Sequence, residues 1–320
     1  MGRTVDRREF LRRLALTGGV FAAASAGALY FRGREPRARG AADTLRDHRE
    51  GLAVDRRMVV LRGPDPAALV ERGFEAMGGA GAFIRRGERV LIKPNMAWDR
   101  TPEQGANTHP LLVAAAVRTA LAAGAASVVV ADVPCNDPVK VLERSGIRKA
   151  AAEAGARVAV PSEGPEVDFG GAVIARFAVG REFLEADRII NMPVVKVHSL
   201  SGITCGMKNW YGLLVGRRHG LHQNIDESIA DLAAAAKPTL TIIDATRIMV
   251  SNGPTGGAPS DVVRRDLVAF TTDEVAGDAW AADLLGRRPG DLPFLGLAAG
   301  RGLGTGDWRS ILQEEVSVGT

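Results

Sequence analysis

Two cysteines in 320 residues cannot build a self-contained four-cysteine zinc or iron–sulfur centre, so no intrinsic iron–sulfur cluster is expected. Aromatic residues are also scarce, at 5%, which argues against a β-sandwich, whereas 38 glycines and abundant alanine suit close helix–strand packing. Beyond residues 14–31 no apolar run is long enough to span a bilayer. A basic nucleic-acid-binding surface is missing too. Residues 1–40 hold nine arginines against Asp6, Glu9 and Glu35, a surplus of +6 in a chain whose total is +4. The remainder is therefore slightly acidic, and no nucleic-acid partner is expected.

What is present begins with that basic leader. Asp6-Arg7-Arg8-Glu9-Phe10-Leu11-Arg12 precedes an uncharged, Ala- and Gly-rich run from Leu14 to Phe31. Paired arginines ahead of a weakly apolar stretch resemble a twin-arginine export signal. Ala24-Ser25-Ala26 offers a cleavage site; left uncleaved, residues 14–31 would anchor the chain in a membrane. The expectation is an exported, periplasmic or extracytoplasmic protein. Its partner would be the twin-arginine export machinery, and its membrane contact only the N-terminal segment. Residues 1–31 read as signal or anchor, 32–55 as an aperiodic linker and 56–320 as an α/β domain.

From Arg56 onward short apolar runs alternate with helical stretches. Strands are expected at Met58–Leu61, Arg89–Ile92, Ser127–Ala131, Arg157–Val160, Val173–Phe177, Arg188–Ile190, Thr239–Ile243 and Leu267–Phe270. Helices are expected over 66–77, 110–123, 147–154, 226–236 and from Asp273 to about Leu285. Asp65 would cap the first, and Gly124 would follow the second. The fold class is α/β, a mostly parallel sheet with helices on both faces.

Several of these strands end in polar residues: Lys93 and Asn95, Asp132, Asn191, Asp244, Asp273. In a parallel sheet the carboxyl ends share one edge, where open α/β sheets bind ligands, although Asn and Asp also serve as plain turn formers. After Asn191-Met192-Pro193 come Lys196 and His198, a small-residue turn, and Lys208. Gly202 and Gly206 would let backbone amides approach an anion, and Thr204 would cap a helix starting near Cys205. His219, His222 and Asp226 are spaced to ligate a metal if helical, though His219 beside two arginines also reads as a solvated side chain. His109 precedes the 110–123 helix, where its ring would either reach the crevice or bond locally. The Gly-rich loop from Ser251 to Gly257 would be a lid or an anion-contacting turn, without the ending of a P-loop. Cys135 and Cys205 are open to three readings: a bridge across the crevice, a soft-metal pair, or two unrelated buried thiols.

Lys93-Pro94-Asn95, Asn107-Thr108-His109-Pro110, Gly124-Ala125, Asp132, Lys196-x-His198 and Gly206-Met207-Lys208-Asn209, in that order, resemble domain-of-unknown-function family 362. That resemblance covers about 56–310 and implies no settled activity. His198-x-x-x-Gly202-x-x-x-Gly206-x-Lys208 is more distantly similar to a stretch of nickel-pincer lactate racemases. It implies Lys208 as tether of a pincer cofactor, His198 as acid/base group and His222 as nickel ligand. The racemases' second large domain and their Asp-x-Thr-Arg-Pro block have no counterpart here.

Two readings follow. One is an enzyme, metal- or cofactor-assisted, moving a proton in a small anionic carboxylate substrate. His198 is its acid/base candidate, with His109 and Lys208 also catalytic candidates. Lys208, Lys196 and Lys93 would bind the anion or a cofactor, and Asp132, Asp244 and Asn95 would orient them. The other is an extracytoplasmic protein that binds an anion or metal without chemistry.

Overall fold

A computed structural model describes residues 44–53 and 55–319. The signal or anchor read at 1–31, and the linker up to residue 43, lie outside the described residues. The strands are β1 (Met58–Arg62), β2 (Arg89–Pro94), β3 (Ser127–Ala131), β4 (Arg157–Ala159), β5 (Glu166–Asp168), β6 (Arg176–Ala178), β7 (Arg188–Met192), β8 (Val194–His198), β9 (Gly202–Thr204), β10 (Leu240–Met249), β11 (Val262–Thr271) and β12 (Leu312–Ser317). The main sheet runs β12-β1-β11-β10-β7-β2-β3-β4, with β8 beside β10 and β9 beside β8. β5 and β6 form a separate two-stranded ribbon.

Alternation along each strand builds two apolar layers. Met58, Val60 and Leu91 point into one, while Val59, Leu61, Val90 and Ile92 point into the other. Helices Pro66–Ala76, Pro110–Ala122 and Ile147–Glu153 close one face, and Ile225–Ala236, Glu274–Leu284 and Pro293–Gly300 the other. The sheet is thus the mostly parallel, doubly covered one that the sequence implied. Helix starts follow the expected chemistry: Asp65 accepts from Ala67 N at 2.9 Å, with Pro66 at the first position.

Two departures matter for the site. β11 runs antiparallel to both β1 and β10. Its carboxyl end, with Asp273, therefore lies on the opposite edge from those of β2, β3 and β10. There Asp273 caps the Glu274–Leu284 helix through Ala276 N at 3.0 Å and holds Thr305 N at 3.0 Å. The second departure is at Pro193, expected to end a strand. The chain instead continues there as β8, which keeps β10 as a neighbour but exchanges β2 for β9. Pro193 lacks an N–H, but its carbonyl accepts from Asp244 N at 2.9 Å.

The tail of the stretch read as linker is tied to the body. His48 is buried, and Arg188 donates to the carbonyls of His48 (2.7 Å) and Glu50 (3.1 Å). Strand Val173–Phe177 falls later and shorter, at β6, because Asp231 captures the amides of Ala172, Val173 and Ile174 in a turn. Among the described residues no helix is long and apolar enough to cross a membrane.

The Pro66–Ala76 helix lies so close to β11 that a Cβ on Gly73 would sit 2.1 Å from the Phe270 ring, itself buried against Phe74. Gly73→Ala should therefore lose about 1–3 kcal/mol despite the better helix propensity of alanine, read as a lower urea midpoint. An unchanged or raised midpoint would refute this packing.

Candidate functional site

Lys196 and His198 are two residues apart on β8, so both side chains leave the same face of the strand. That face opens on a cleft of about 540 Å³ at the edge where β2, β3 and β8 end. Lys93, Asn95, Asp132, Lys208, His219 and His222 also line it. The four remaining candidates do not. His109 caps the Pro110–Ala122 helix, its Nδ1 accepting from Leu111 N at 3.1 Å. Asp244, expected at a strand end, lies in the middle of β10, where it accepts from His109 N (2.7 Å), Thr246 N (2.9 Å) and Thr246 Oγ1 (2.7 Å) and ties the strand to that helix start. Gly202 takes φ 76° in the β8–β9 turn, where a Cβ would lie 2.5 Å from Leu292. Gly206 N is spent on Asp278 Oδ1 at 2.6 Å, with Met207 N on Oδ2 at 3.3 Å. The Gly206 amide expected to meet an anion already holds a carboxyl group of the chain, and the helix it opens, Gly206–Asn209, is one turn long with Cys205 rather than Thr204 at its N-cap position.

The floor of the cleft is a buried polar network. Lys93 pairs with Asp132 at 2.8 Å, both side chains at most 2% exposed. Lys93 Nζ also donates to Pro94 O (2.8 Å) and Asn209 Oδ1 (3.0 Å), while Asp132 Oδ2 accepts from Met96 N (2.6 Å). Asn209 further accepts from Asn95 Nδ2 (3.0 Å) and donates to Asn191 Oδ1 (2.8 Å). Asn191 in turn donates to Gly206 O (3.0 Å) and Glu274 Oε1 (2.6 Å). Trp210 Nε1 and Thr241 Oγ1 complete the shell of Glu274 at 2.8 and 3.0 Å.

Donor accounting separates the three lysines. Lys93 has two hydrogen-bond acceptors and the Asp132 carboxylate beside it at 2.8 Å. Lys196 has two, Asn95 Oδ1 at 3.2 Å and Ala106 O at 2.5 Å. Lys208 is 8% exposed, and no acceptor or carboxylate among the described residues takes its ammonium, which stands 4.6 Å over the Tyr211 ring. It is the amine left for a ligand. Burial lowers the Lys208 pKa to about 8 and that of Lys196 to about 7, with the Lys208 and Lys93 charges adding to the effect at Lys196.

His198 Nδ1 accepts from Leu200 N (3.1 Å) and Ser201 N (3.3 Å). A backbone N–H only donates, so Nδ1 carries no proton and Nε2 carries one. Burial and then the Lys208 and Lys196 charges lower its pKa to about 3. The ring is a neutral hydrogen-bond donor rather than a ready proton acceptor.

Sequence reading missed Arg218. It donates to Tyr211 O (2.7 Å), Leu214 O (3.4 Å), Val133 O (2.8 Å) and Pro134 O (3.1 Å), stapling two loops together at the cleft. Among the described residues Asp132 is the one carboxylate lining the cleft, and it is already paired; Lys196, Lys208 and Arg218 have none there. Cys135 is exposed there, and Cys205 is buried beside Asp278, so the pair is neither bridged nor both buried. His222 lies half-buried against Tyr211, but among the described residues no three His, Cys, Asp or Glu side chains converge as a metal set would. The Ser251–Gly257 loop is pinned by Asp261, to Ser251 Oγ at 2.7 Å and Asn252 Nδ2 at 2.6 Å, and contributes Pro254 as a wall.

Fold and site thus define an α/β protein with a cationic cleft at the carboxyl edge of a mostly parallel sheet. Residues 90–283, more than half of the chain, match the model of the family described as domain of unknown function (DUF362), and the chain belongs to that family. It is 29% identical over 238 residues to a thylakoid-associated protein of Synechocystis sp., covering 69% of this chain and 70% of that one. Among solved structures it is similar to the lactate racemase apoprotein of Thermoanaerobacterium thermosaccharolyticum, at TM-score 0.42 and 12% identity over 72% of this chain. A Thermotoga maritima protein is similar at TM-score 0.39 and 11% identity over 75% of this chain. The chain spans 56% and 60% of the lengths of those two structures.

Two outcomes test the network. Asp132→Ala leaves Lys93 a buried charge without its partner and should cost about 3–5 kcal/mol in urea unfolding; a loss under 1 kcal/mol would show that the pair is dispensable. The Asp278 carboxyl, fully buried and one turn from Glu274, has its pKa raised to about 8 from 3.8. Between those values the folded state holds a proton that the unfolded state has released. This contribution is full below about pH 4 and declines as pH rises towards 8. Asp278→Asn keeps an acceptor and cannot ionise, so it should flatten that decline in thermal unfolding; an unaltered slope would assign the decline elsewhere.

Proposed function

We propose that the cleft binds a small carboxylate and moves a proton on the carbon beside it. The supporting observation is the charge balance: Lys196, Lys208 and Arg218 face the cleft with no unpaired carboxylate among the described residues to neutralise them. Lys208 would meet the carboxylate with its three free donors. Arg218, with both terminal nitrogens engaged by carbonyls, would contribute field rather than a fork. His198 would donate Nε2–H to the oxygen where charge develops. Lys196, with its pKa near 7, is poised to give and take the proton.

Lys208, His198 and His222, the three positions matched by the racemase motif, all line this cleft. The unpartnered Lys208 amine suits a covalent tether and His222 suits a metal ligand. A pincer cofactor held there would act as an electron sink for the same substrate class. The twin-arginine-like leader supports export, and the thylakoid association named for the Synechocystis relative is in keeping with a site outside the cytoplasm.

Calorimetry with lactate, pyruvate and malonate should detect binding that weakens as pH rises above about 8, where Lys208 loses its charge. Lys208→Met should weaken it about 10–100-fold. No binding of any of the three, or binding indifferent to Lys208, would overturn the reading of the site. Deuterium exchange into bound lactate in heavy water tests the chemistry, and binding without exchange would favour a pure binding protein. An added mass on the Lys208 peptide of native material would indicate the tether.

A further inference from the structure

The two thiols of this chain occupy opposite electrostatic surroundings. Cys205 is fully buried, and burial with the nearby Asp278 carboxyl pushes its pKa well above the usual thiol range. Cys135 is exposed on the loop that follows β3, at the rim of the cleft, and Arg218 Nη2 donates to its Sγ at 3.5 Å. The Lys196 and Lys208 side chains line the same cleft. The remaining titratable groups facing it among the described residues are the Lys93–Asp132 pair, Tyr211, His198, His219 and His222. Cysteine sulfur is a soft nucleophile, and this one is open to solvent at the mouth of the cleft. A second observation points to a ligand in the same place: the Lys208 ammonium, more than nine-tenths buried and without a partner, faces the cleft that Cys135 borders.

We infer that Cys135 is a nucleophile directed at small carboxylates that carry an electrophilic carbon. This rests on the reading of the cleft as a carboxylate site. Lys208 would hold the carboxylate while the Arg218 N–H contact holds Sγ in place. Sγ attacks the carbon, an S–C bond forms as the bond to the leaving group breaks, the leaving group departs with that electron pair, and the thiol proton goes to solvent. Neither Cys135 nor Arg218 is needed for proton transfer by Lys196, so this is an additional chemistry of the site.

Iodoacetate and iodoacetamide deliver the same carbon and the same leaving iodide, with and without a carboxylate. Their rates of alkylating Cys135 in the full-length chain, followed by peptide mass, are to be compared with their rates on glutathione in the same buffer. The expected result is a preference shifted at least about tenfold towards iodoacetate relative to glutathione, weakening in high salt. Lys208→Met should abolish most of the shift, whereas Lys149→Met, on an exposed helix position, should leave it intact. Cys205 should stay unmodified in the folded chain. A Cys135 reagent preference equal to that of glutathione would overturn the inference. If malonate still binds in calorimetry, the cleft reading survives that failure; if malonate binding is also absent, both fall.

Discussion

A buried ion pair between Lys93 and Asp132 organises everything at the carboxyl edge of the sheet. Two charges removed from water are tolerable when most of their lone pairs and protons find partners: Asp132 Oδ2 accepts from Met96 N, and Lys93 Nζ faces Oδ1 at 2.8 Å while donating to Pro94 O and Asn209 Oδ1. Lys93 spends its third proton on Asn209, whose amide reaches Asn95 and Asn191, and Asn191 reaches Glu274. The chain of bonds crosses from β2 through the one-turn helix to β7 and on to the Glu274–Leu284 helix. The three strand ends bordering the cleft are thereby locked in one register, and the ligand-facing groups stand on a rigid floor.

That floor explains why three lysines in one cleft have different roles. Lys93 is saturated, Lys196 is nearly so, and Lys208 is bare. Their chemistry follows from their partners more than from their proximity. A saturated ammonium resists ligand exchange, whereas a bare one in a desolvated wall is under pressure to acquire an anion or lose its proton.

Much of the architecture was legible because apolar runs with period two and capped helices leave strong local marks, as at Ser127–Ala131 and at Asp65-Pro66. Lys93, Asp132, Lys196, His198 and Lys208 were legible as a group because parallel strands bring their carboxyl ends together. What could not be read depends on direction and partners. Asp273 looks like Asp132 in sequence, but its strand runs the other way. Pro193 looks like a terminus, and only the neighbouring β10 shows that the chain runs on. Gly206 looks free to meet an anion until Asp278, seventy-two positions away, occupies its amide. Arg218 carries no local signal, since its acceptors are main-chain carbonyls, those of Val133 and Pro134 lying more than eighty positions away.

The way Arg218 is held has a kinetic consequence. Its charge is permanent, but carbonyls engage both ends of its fork. It can draw an anion inward from a distance without gripping it on arrival. An architecture of this kind hastens capture while leaving departure almost untouched, so residence time in the cleft would be governed by the Lys208 amine at its wall.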